Sequence, residues 1–409
     1  MSPPPETMRA SRSAATSWAG PSSADAIVTR VVGFLNLNHK SETLPWPPPS
    51  FLTLLPAPSS PFSDETTHVA PPQPLMVTSR RGMTGAEDLT GYVPLTSRDG
   101  LVLLGRMCWI RRQHDLCVYD PISGGACTFL PGLPDQSRHS DARYYKHVLL
   151  TPAADGVLTA RFVVLTFDFV ALVKGLRSIT VRTLSSSSSS SEEEDDSTSK
   201  WAWSTATVAI TPSRPSRFPN QMPTGNAVTV RGVVHWLLRQ VYDDDCCIFT
   251  YNAVTHAPDG WIEVPPECRA SSQLHLASSP PSTNNNDGMS SSGRLSLIME
   301  AADHRSISFW VLLQSSSSGS SSSSWTRRAS VALQLPLVYR ERDTIGSVVS
   351  APRSGTVMLL PYSGYLHHWQ SDQGSVVVLD LETMEMRTVN KDKQAFLYEV
   401  DLLSRMRTF

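Results

Sequence analysis

A chain of 409 residues can bury a sizeable core, as one large domain or two average ones. With 18 % charged residues and a formal net charge of −2, it carries no long-range field for nucleic acid or an anionic membrane surface. No apolar run reaches the roughly 18 residues of a membrane span, and the N-terminus lacks the apolar core of a secretory signal.

Residues 1–30 are rich in Pro, Ser and Ala, lack periodicity and read as disordered. Their Ser, Ala and Arg content faintly resembles an organelle transit peptide, which Pro3-Pro4-Pro5 and Glu6 oppose. Residues 31–90 read as a Pro-rich linker with one or two short elements. The first apolar run, Ile27 to Leu37, fits a strand or a short helix equally well. The prolines between Glu42 and Pro72 demand extended or irregular chain.

From residue 91 to 409 the pattern becomes short apolar runs punctuated by Gly, Pro and Asp, the mark of an antiparallel meander. Its clearest stretch is Gly225 to Pro265. Val228 and Val230 alternate with polar neighbours, Arg231-Gly232 turns the chain, and Val233 to Leu238 forms a second run. Asp243-Asp244-Asp245 breaks that run, Cys247 restarts it, and Pro258-Asp259-Gly260 leads into a last strand. The same plan recurs at Asp99 to Pro131 and at Ser354 to Val389. Two variant copies, Arg161 to Ile210 and Gly293 to Leu335, each carry a Ser-rich insert (185–200 and 315–324) between what read as the second and third strands. Insertion at equivalent points marks loops of a true repeat. Copies begin near Gly100, Ala160, Gly232, Gly293 and Gly355. A spacing somewhat above the ~40–50 residues of familiar blade repeats predicts an all-β, β-propeller-like ring with long loops. A pair of β-sandwiches is the rival. A sixth, degenerate copy drawn from the Tyr92 and Tyr398 ends would close the ring and remove its open sheet edges.

Site chemistry is sparse. The six cysteines form no C-x-x-C pair, and the His114/Cys117 spacing has no second pair to complete a tetrahedral metal site. They read as packed thiols of a reduced compartment. Asp243 to Asp245 lacks the spaced oxygens of a calcium loop, and His367-His368 would point to opposite faces of a strand. No G-x-S-x-G, Cys–His signature or phosphate loop is present. No metal, cofactor or catalytic residue is therefore assigned. Trp236 reads as packing between blades and His235 as a residue facing a turn, the alternative being that both face a central channel. The acidic insert Ser185 to Lys200 offers serines whose phosphorylation would add about −1.5 to −2 charge each.

Several phrases taken together carry a family likeness: SRDGLVLL (Ser97 to Leu104), LCVYDPISGGACTFLP (Leu116 to Pro131), HVLLT (His147 to Thr151), GVVHWL (Gly232 to Leu237), VPPECR (Val264 to Arg269), GRLSLIM (Gly293 to Met299) and YEVDLLSRM (Tyr398 to Met406). In this order they resemble the C-terminal associated domain of plant F-box proteins, closest to the grass-type set. In that family a helical F-box docks onto the Skp-type adaptor of a cullin ubiquitin ligase, and the propeller-like part presents the substrate. The first thirty residues here carry no F-box pattern.

The resemblance implies a non-enzymatic protein-interaction module of the cytoplasm or nucleus. It would bind a protein substrate, with a Skp-type adaptor only if an F-box stands upstream, and neither nucleic acid nor membrane. The expected contact face is built from the loops near Arg106 to Asp115, Arg239 to Asp245 and Pro361 to Ser371. Its candidate residues are Arg111, Arg112, His114, Arg239, Tyr242, Asp243, Asp244, Asp245, Tyr365, His367 and Trp369. The alternatives are a propeller hydrolase or lyase with its site at the channel mouth, and a degenerate paralogue without a partner.

Overall fold

A computed structural model of the chain describes residues 30–37, 51–55, 92–108, 113–120, 126–133, 142–155, 160–172, 175–186, 203–209, 221–240, 246–269, 271, 273–279, 293–301, 306–314, 323–333, 344–351, 355–362, 376–381, 383–389 and 394–401. The N-terminal stretch and the Ser-rich inserts expected to be disordered lie almost wholly outside these residues.

The first two strands, β1 (Arg30–Leu37) and β2 (Phe51–Leu55), precede five four-stranded antiparallel meanders. Blade 1 is β3 (Val93–Arg98), β4 (Leu101–Cys108), β5 (Gln113–Asp120) and β6 (Ala126–Phe129). Blade 2 is β7 (Ala142–Leu150), β8 (Val163–Leu172), β9 (Gly175–Ser185) and β10 (Ser204–Ala209), with a one-turn helix, α1 (Pro152–Asp155), after β7. Blade 3 is β11 (Gln221–Val230), β12 (Val233–Gln240), β13 (Cys246–Asn252) and β14 (Ala257–Glu263), followed by α2 (Pro266–Arg269). Blade 4 is β15 (Leu274–Ser279), β16 (Arg294–Glu300), β17 (Ser306–Gln314) and β18 (Ser323–Ala332). Blade 5 is β19 (Thr344–Ala351), β20 (Thr356–Tyr362), β21 (Val376–Asp380) and β22 (Met386–Val389). The last strand, β23 (Gln394–Asp401), pairs with β1, and β1 with β2, in a three-stranded sixth sheet. The strands β3, β7, β11, β15, β19 and β23 neighbour one another in turn and close a ring. The fold is an all-β propeller.

Two expectations need correction. The apolar runs that follow the turn glycines, such as Val233 to Leu238, are the second strands of their blades. The innermost strands precede them, so the Ser-rich inserts join third to fourth strands, β9 to β10 and β17 to β18. The ring is closed from the Tyr398 end, but the strand there pairs with β1, which β2 flanks on its other side. Tyr92 leads into blade 1 instead.

The repeated residues have local causes. Asp99-Gly100 and Arg231-Gly232 both take positive φ (47° and 78°, 53° and 72°) in two-residue turns joining first to second strand. Such turns match the strand twist and favour Gly at the second position. Gly355 keeps the same positive φ in blade 5. The carbonyls of Gly232 and Gly355 then accept the amides of Ala253 and Leu381, tying each turn to the end of the third strand. At that end sits an Asx residue. Asn252 Oδ1 accepts the amides of Val254 and Thr255, and Asp380 Oδ1 accepts that of Thr383. Both are Asx turns that redirect the chain into the fourth strand.

The core lies in the seams between successive blades. Between blades 2 and 3, Trp236 packs edge-on against Phe167 and Phe169 at 5.5 and 5.7 Å, and Phe167 meets Tyr251 edge-to-face at 5.5 Å. Trp236 is 1 % exposed. It supplies bulk between blades, as its run predicted. Leu237, Ile248, Leu276, Leu297 and Trp310 fill the seam of blades 3 and 4. Ile298, Phe309, Val357 and Leu379 fill that of blades 4 and 5, and Leu103, Val118, Val164 and Leu184 that of blades 1 and 2.

Polar staples cross the same seams. Arg98 pairs with Asp155 at 2.6 Å in a buried contact, and Arg161 with Asp120 at 2.7 Å. The indole N–H groups of Trp203 and Trp325 donate to the carbonyls of Pro131 and Glu263. In blade 5 the ladder slips between Ile345 and Ser347. Blade 4 satisfies the backbone there: Glu300 accepts the Ile345 amide at 2.9 Å, and His275 Nε2 donates to the Ile345 carbonyl at 3.2 Å. Within blade 3, His235 Nδ1 donates to the Val228 carbonyl at 3.2 Å.

Two outcomes are expected. A variant lacking residues 1–58 loses β1, the pairing partner of β23, together with β2, leaving β23 without a sheet. Its urea midpoint should fall, and its size-exclusion profile should shift to higher mass than the full chain. The second concerns acid. Burial pulls the His235 and His275 imidazoles down to about 4. An unfolded histidine takes its proton near about 6.5, so from there down to about 4 the unfolded state binds more protons and stability falls with pH. His235→Asn and His275→Gln each keep a donor at the reach of the lost N–H. The double variant should lose less stability between about pH 7 and about pH 5 than the parent, read by urea unfolding at both.

Candidate functional site

The inner strands converge on a cavity of about 220 Å³ on the ring axis. Leu95 to Arg98 of β3, Tyr145 to Leu149 of β7, Ala227 to Thr229 of β11, Ser278 of β15 and Ser350 of β19 line it, with Trp236 of β12 reaching in from behind. One layer is regular. In five of the six inner strands the residue one position before the end lines the cavity: Ser97, Leu149, Thr229, Ser278 and Ser350. Four of the five carry a hydroxyl.

A second layer lies two to three residues back along β7, about 7–10 Å away at ~3.3 Å per residue. It holds Lys146 and His147, with Trp236 beside the irregular stretch of β11 between Thr224 and Val228. Lys146 stands opposite Phe167 in the β7–β8 register, on the blade face that meets Trp236. Burial lowers its pKa from the usual lysine value. His147 Nδ1 shares a 3.0 Å hydrogen bond with Thr166 Oγ1 on the other face, in the row that Arg182 continues. Arg182 lies 3.9 Å from Asp168, and both are buried.

The wall is electrostatically one-sided. Its ionisable residues are Arg98, Tyr145, Lys146 and His147, and no carboxylate is among the lining residues. Arg98 is balanced from behind by Asp155, whose Oδ2 also accepts the Thr151 amide at 3.0 Å. Two polar atoms on the wall are buried with no hydrogen-bond partner: Nε1 of Trp236 and Oγ of Ser278. The Ser278 amide is occupied, donating to Ser350 Oγ at 3.4 Å. Leaving such groups unpaired costs about 1–3 kcal/mol each. Among the described residues, no three His, Cys, Asp or Glu side chains stand together as a metal site would need.

The loops expected to form a contact face have one topological place. Arg106 to Asp115 links β4 to β5, Arg239 to Asp245 links β12 to β13, and Pro361 to Ser371 links β20 to β21. Each joins the second to the third strand of its blade, so in antiparallel blades of one ring all three leave by the same rim. Arg111, Arg112, Tyr242, Asp243, Asp244, Asp245, Tyr365, His367 and Trp369 lie outside the described residues. His114 occupies β5 opposite Met107. Arg239, at the end of β12, donates to the Ser271 carbonyl and braces the chain entering blade 4. The base of the first loop is pinned by Arg106, which pairs with Asp115 at 3.0 Å and lies 4.9 Å over the Tyr92 ring.

The axial residues escaped the sequence reading. Inner strands such as LHLASS and TIGSVVSA are short and carry small polar residues. The signal that could have found them is a hydroxyl residue just before the turn into each apolar second strand.

Among the described residues no helix is long and apolar enough to cross a membrane. No curated protein matches the sequence. Among solved structures, the chain is similar to a post-proline cleaving enzyme from Rickettsia typhi at 9 % identity and a TM-score of 0.34, over 75 % of this chain and 37 % of that one. The chain thus spans little more than a third of that enzyme's length, and a likeness this weak carries no functional argument. A family profile described as a domain of unknown function, DUF7595, matches residues 77–409. With its five meander blades and most of the chain inside that match, this protein belongs to the DUF7595 family.

Proposed function

We propose that the chain is a non-enzymatic protein-recognition module whose contact face is the rim carrying the loops between second and third strands. The supporting observation is that these loops of blades 1, 3 and 5 spring from equivalent positions on a closed ring. A rigid scaffold with freely variable loops suits recognition. The rim carries both signs of charge, with Arg111 and Arg112 on one loop and Asp243 to Asp245 on another. That pattern suits a protein partner better than nucleic acid or an anionic membrane. The resemblance to plant F-box-associated domains extends this reading to substrate recognition for a cullin-type ubiquitin ligase in the cytoplasm or nucleus. A Skp-type adaptor would join only through an F-box placed upstream. No cofactor enters this role.

A second reading, a propeller hydrolase or lyase working at the channel mouth, is favoured by Lys146 and His147 on the axial wall. Turnover abolished by Lys146→Met with the partner still bound would favour it.

The test is affinity capture from plant extract, with the chain alone and with an F-box fused upstream. The fused form should retain the Skp-type adaptor and the bare chain should not. A partner common to both should be lost at least about tenfold on changing Asp243, Asp244 and Asp245 together to Lys, with the thermal midpoint unchanged. Failure of either form to retain a partner that depends on the rim would end the recognition reading.

A further inference from the structure

We propose that Ser330, on the outer edge of blade 4, is the acceptor hydroxyl for an arginine-directed protein kinase. The inference does not rest on the rim reading.

The segment Arg327-Arg328-Ala329-Ser330-Val331 sets guanidinium groups three and two residues before a serine and an apolar residue after it. The pattern Arg-Arg-x-Ser occurs once in the chain. In an extended strand the two arginines start about 10 and about 7 Å upstream of the serine, at ~3.3 Å per residue. A kinase whose substrate groove carries carboxylates reads that spacing through charge-assisted hydrogen bonds, for which the planar guanidinium is better suited than an ammonium. The same groove rejects the serines just ahead of Glu192 to Asp196, which stand beside like charge.

The fold presents the segment already extended and on an edge. β18 is the last strand of its sheet and pairs with β17 alone. Arg327, Arg328 and Ser330 are all exposed. The β17–β18 register passes from Trp310 opposite Arg327 to Phe309 opposite Ala329, so Arg328 is the extra residue of a bulge. A bulge interrupts the ladder and re-aims its side chain. Beyond it the strand runs only to Ala332. Val331 packs against the seam of blades 4 and 5, so a kinase takes this end of β18 when it lifts from β17. A short strand end, bonded on one side and set off by a bulge, belongs to the part of a fold that opens most readily.

The surroundings also receive the product. Ser330 stands opposite Ser308, whose hydroxyl accepts from Arg327 at 2.9 Å. Cross-strand partners lie about 4.5–5.5 Å apart at Cβ, so a phosphate on Ser330 comes within reach of the Arg327 guanidinium. In the transfer, Ser330 Oγ attacks the γ-phosphorus of ATP. The Oγ–P bond forms as the bond from that phosphorus to the β,γ-bridging oxygen breaks, ADP leaves, and the hydroxyl proton passes to the catalytic carboxylate of the kinase. The new group carries about −1.5 to −2 charge and brings an edge with two adjacent positive charges close to neutrality.

The folded full chain is incubated with ATP and the catalytic subunit of cyclic-AMP-dependent protein kinase as the arginine-directed probe. Tandem mass spectrometry should find Ser330 as the principal phosphorylated residue, and Ser330→Ala should remove most of the incorporation. Arg328→Gln, at an exposed bulge, should slow the reaction at least about tenfold with the thermal midpoint unchanged. Arg327→Gln should slow it comparably, and if that variant does not fold, Arg328→Gln decides. The same reaction is run on the heat-unfolded chain. Modification of Ser330 in the unfolded chain only overturns the proposal, because the fold then withholds the site. Incorporation that survives Ser330→Ala, or a rate indifferent to Arg328→Gln, overturns it as well.

Discussion

Everything in this structure depends on one pairing, β1 with β23. Their register runs from Arg30 opposite Asp401 to Leu37 opposite Gln394. Without it the five meanders would form an open arc, with inner strands facing solvent at both ends and seams free to splay. With it each inner strand has a neighbour on both sides, and the axis becomes a closed wall. The axial cavity is thus a property of the circuit and of no single blade.

The seams show how that circuit is made specific. Aromatic bulk fills the joint between blades 2 and 3, while aliphatic side chains dominate the joint between blades 1 and 2. Apolar packing alone would let blades slide. Directional bonds oppose sliding: Arg98 to Asp155, Arg161 to Asp120, Trp203 to Pro131, and the grip of Glu300 and His275 on Ile345. The last is the most economical. The ladder irregularity in β19 releases a backbone amide and carbonyl, and the adjacent blade takes both. A buried polar pair of this kind fixes which neighbour a blade accepts, because a wrong neighbour leaves the groups unpaired.

How far the sequence disclosed this follows from what each strand must satisfy. Second and third strands are buried on both faces between blades, so they read as unbroken apolar runs such as VVHWLL and CCIFTY. The turns before them need positive φ, so Gly100, Gly232 and Gly355 recur. These two signals were enough to reveal the repeat and the propeller. Inner strands answer to two masters, a seam on each side and a polar axis in front, so their pattern is mixed. β15 and β19 lie ahead of the stretches that read as copies of the repeat for that reason. β1 and β2 were obscured differently, since they sit among prolines and their partner lies at the far end of the sequence. The candidate rim loops could be placed by topology, but the Trp236 and Ser278 orphans could not be foreseen, because an unpaired atom is a fact about three-dimensional neighbours.

The β1–β23 clasp also gives the molecule a clock. β1 is made about 360 residues before β23. At the usual 5–20 residues per second of synthesis, that interval is on the order of 20–70 s. Throughout it the five blades can form one after another, each against the last, while β1 holds an edge open for a strand that does not yet exist. The short prolines-bracketed β2, which pairs along β1 from Val32 to Asn36, covers the other side of β1 during the wait. A strand that must stay available for so long is exposed to every passing sheet edge in the cell. Birth, for this ring, is the period of greatest vulnerability, and the final strand ends it in a single step.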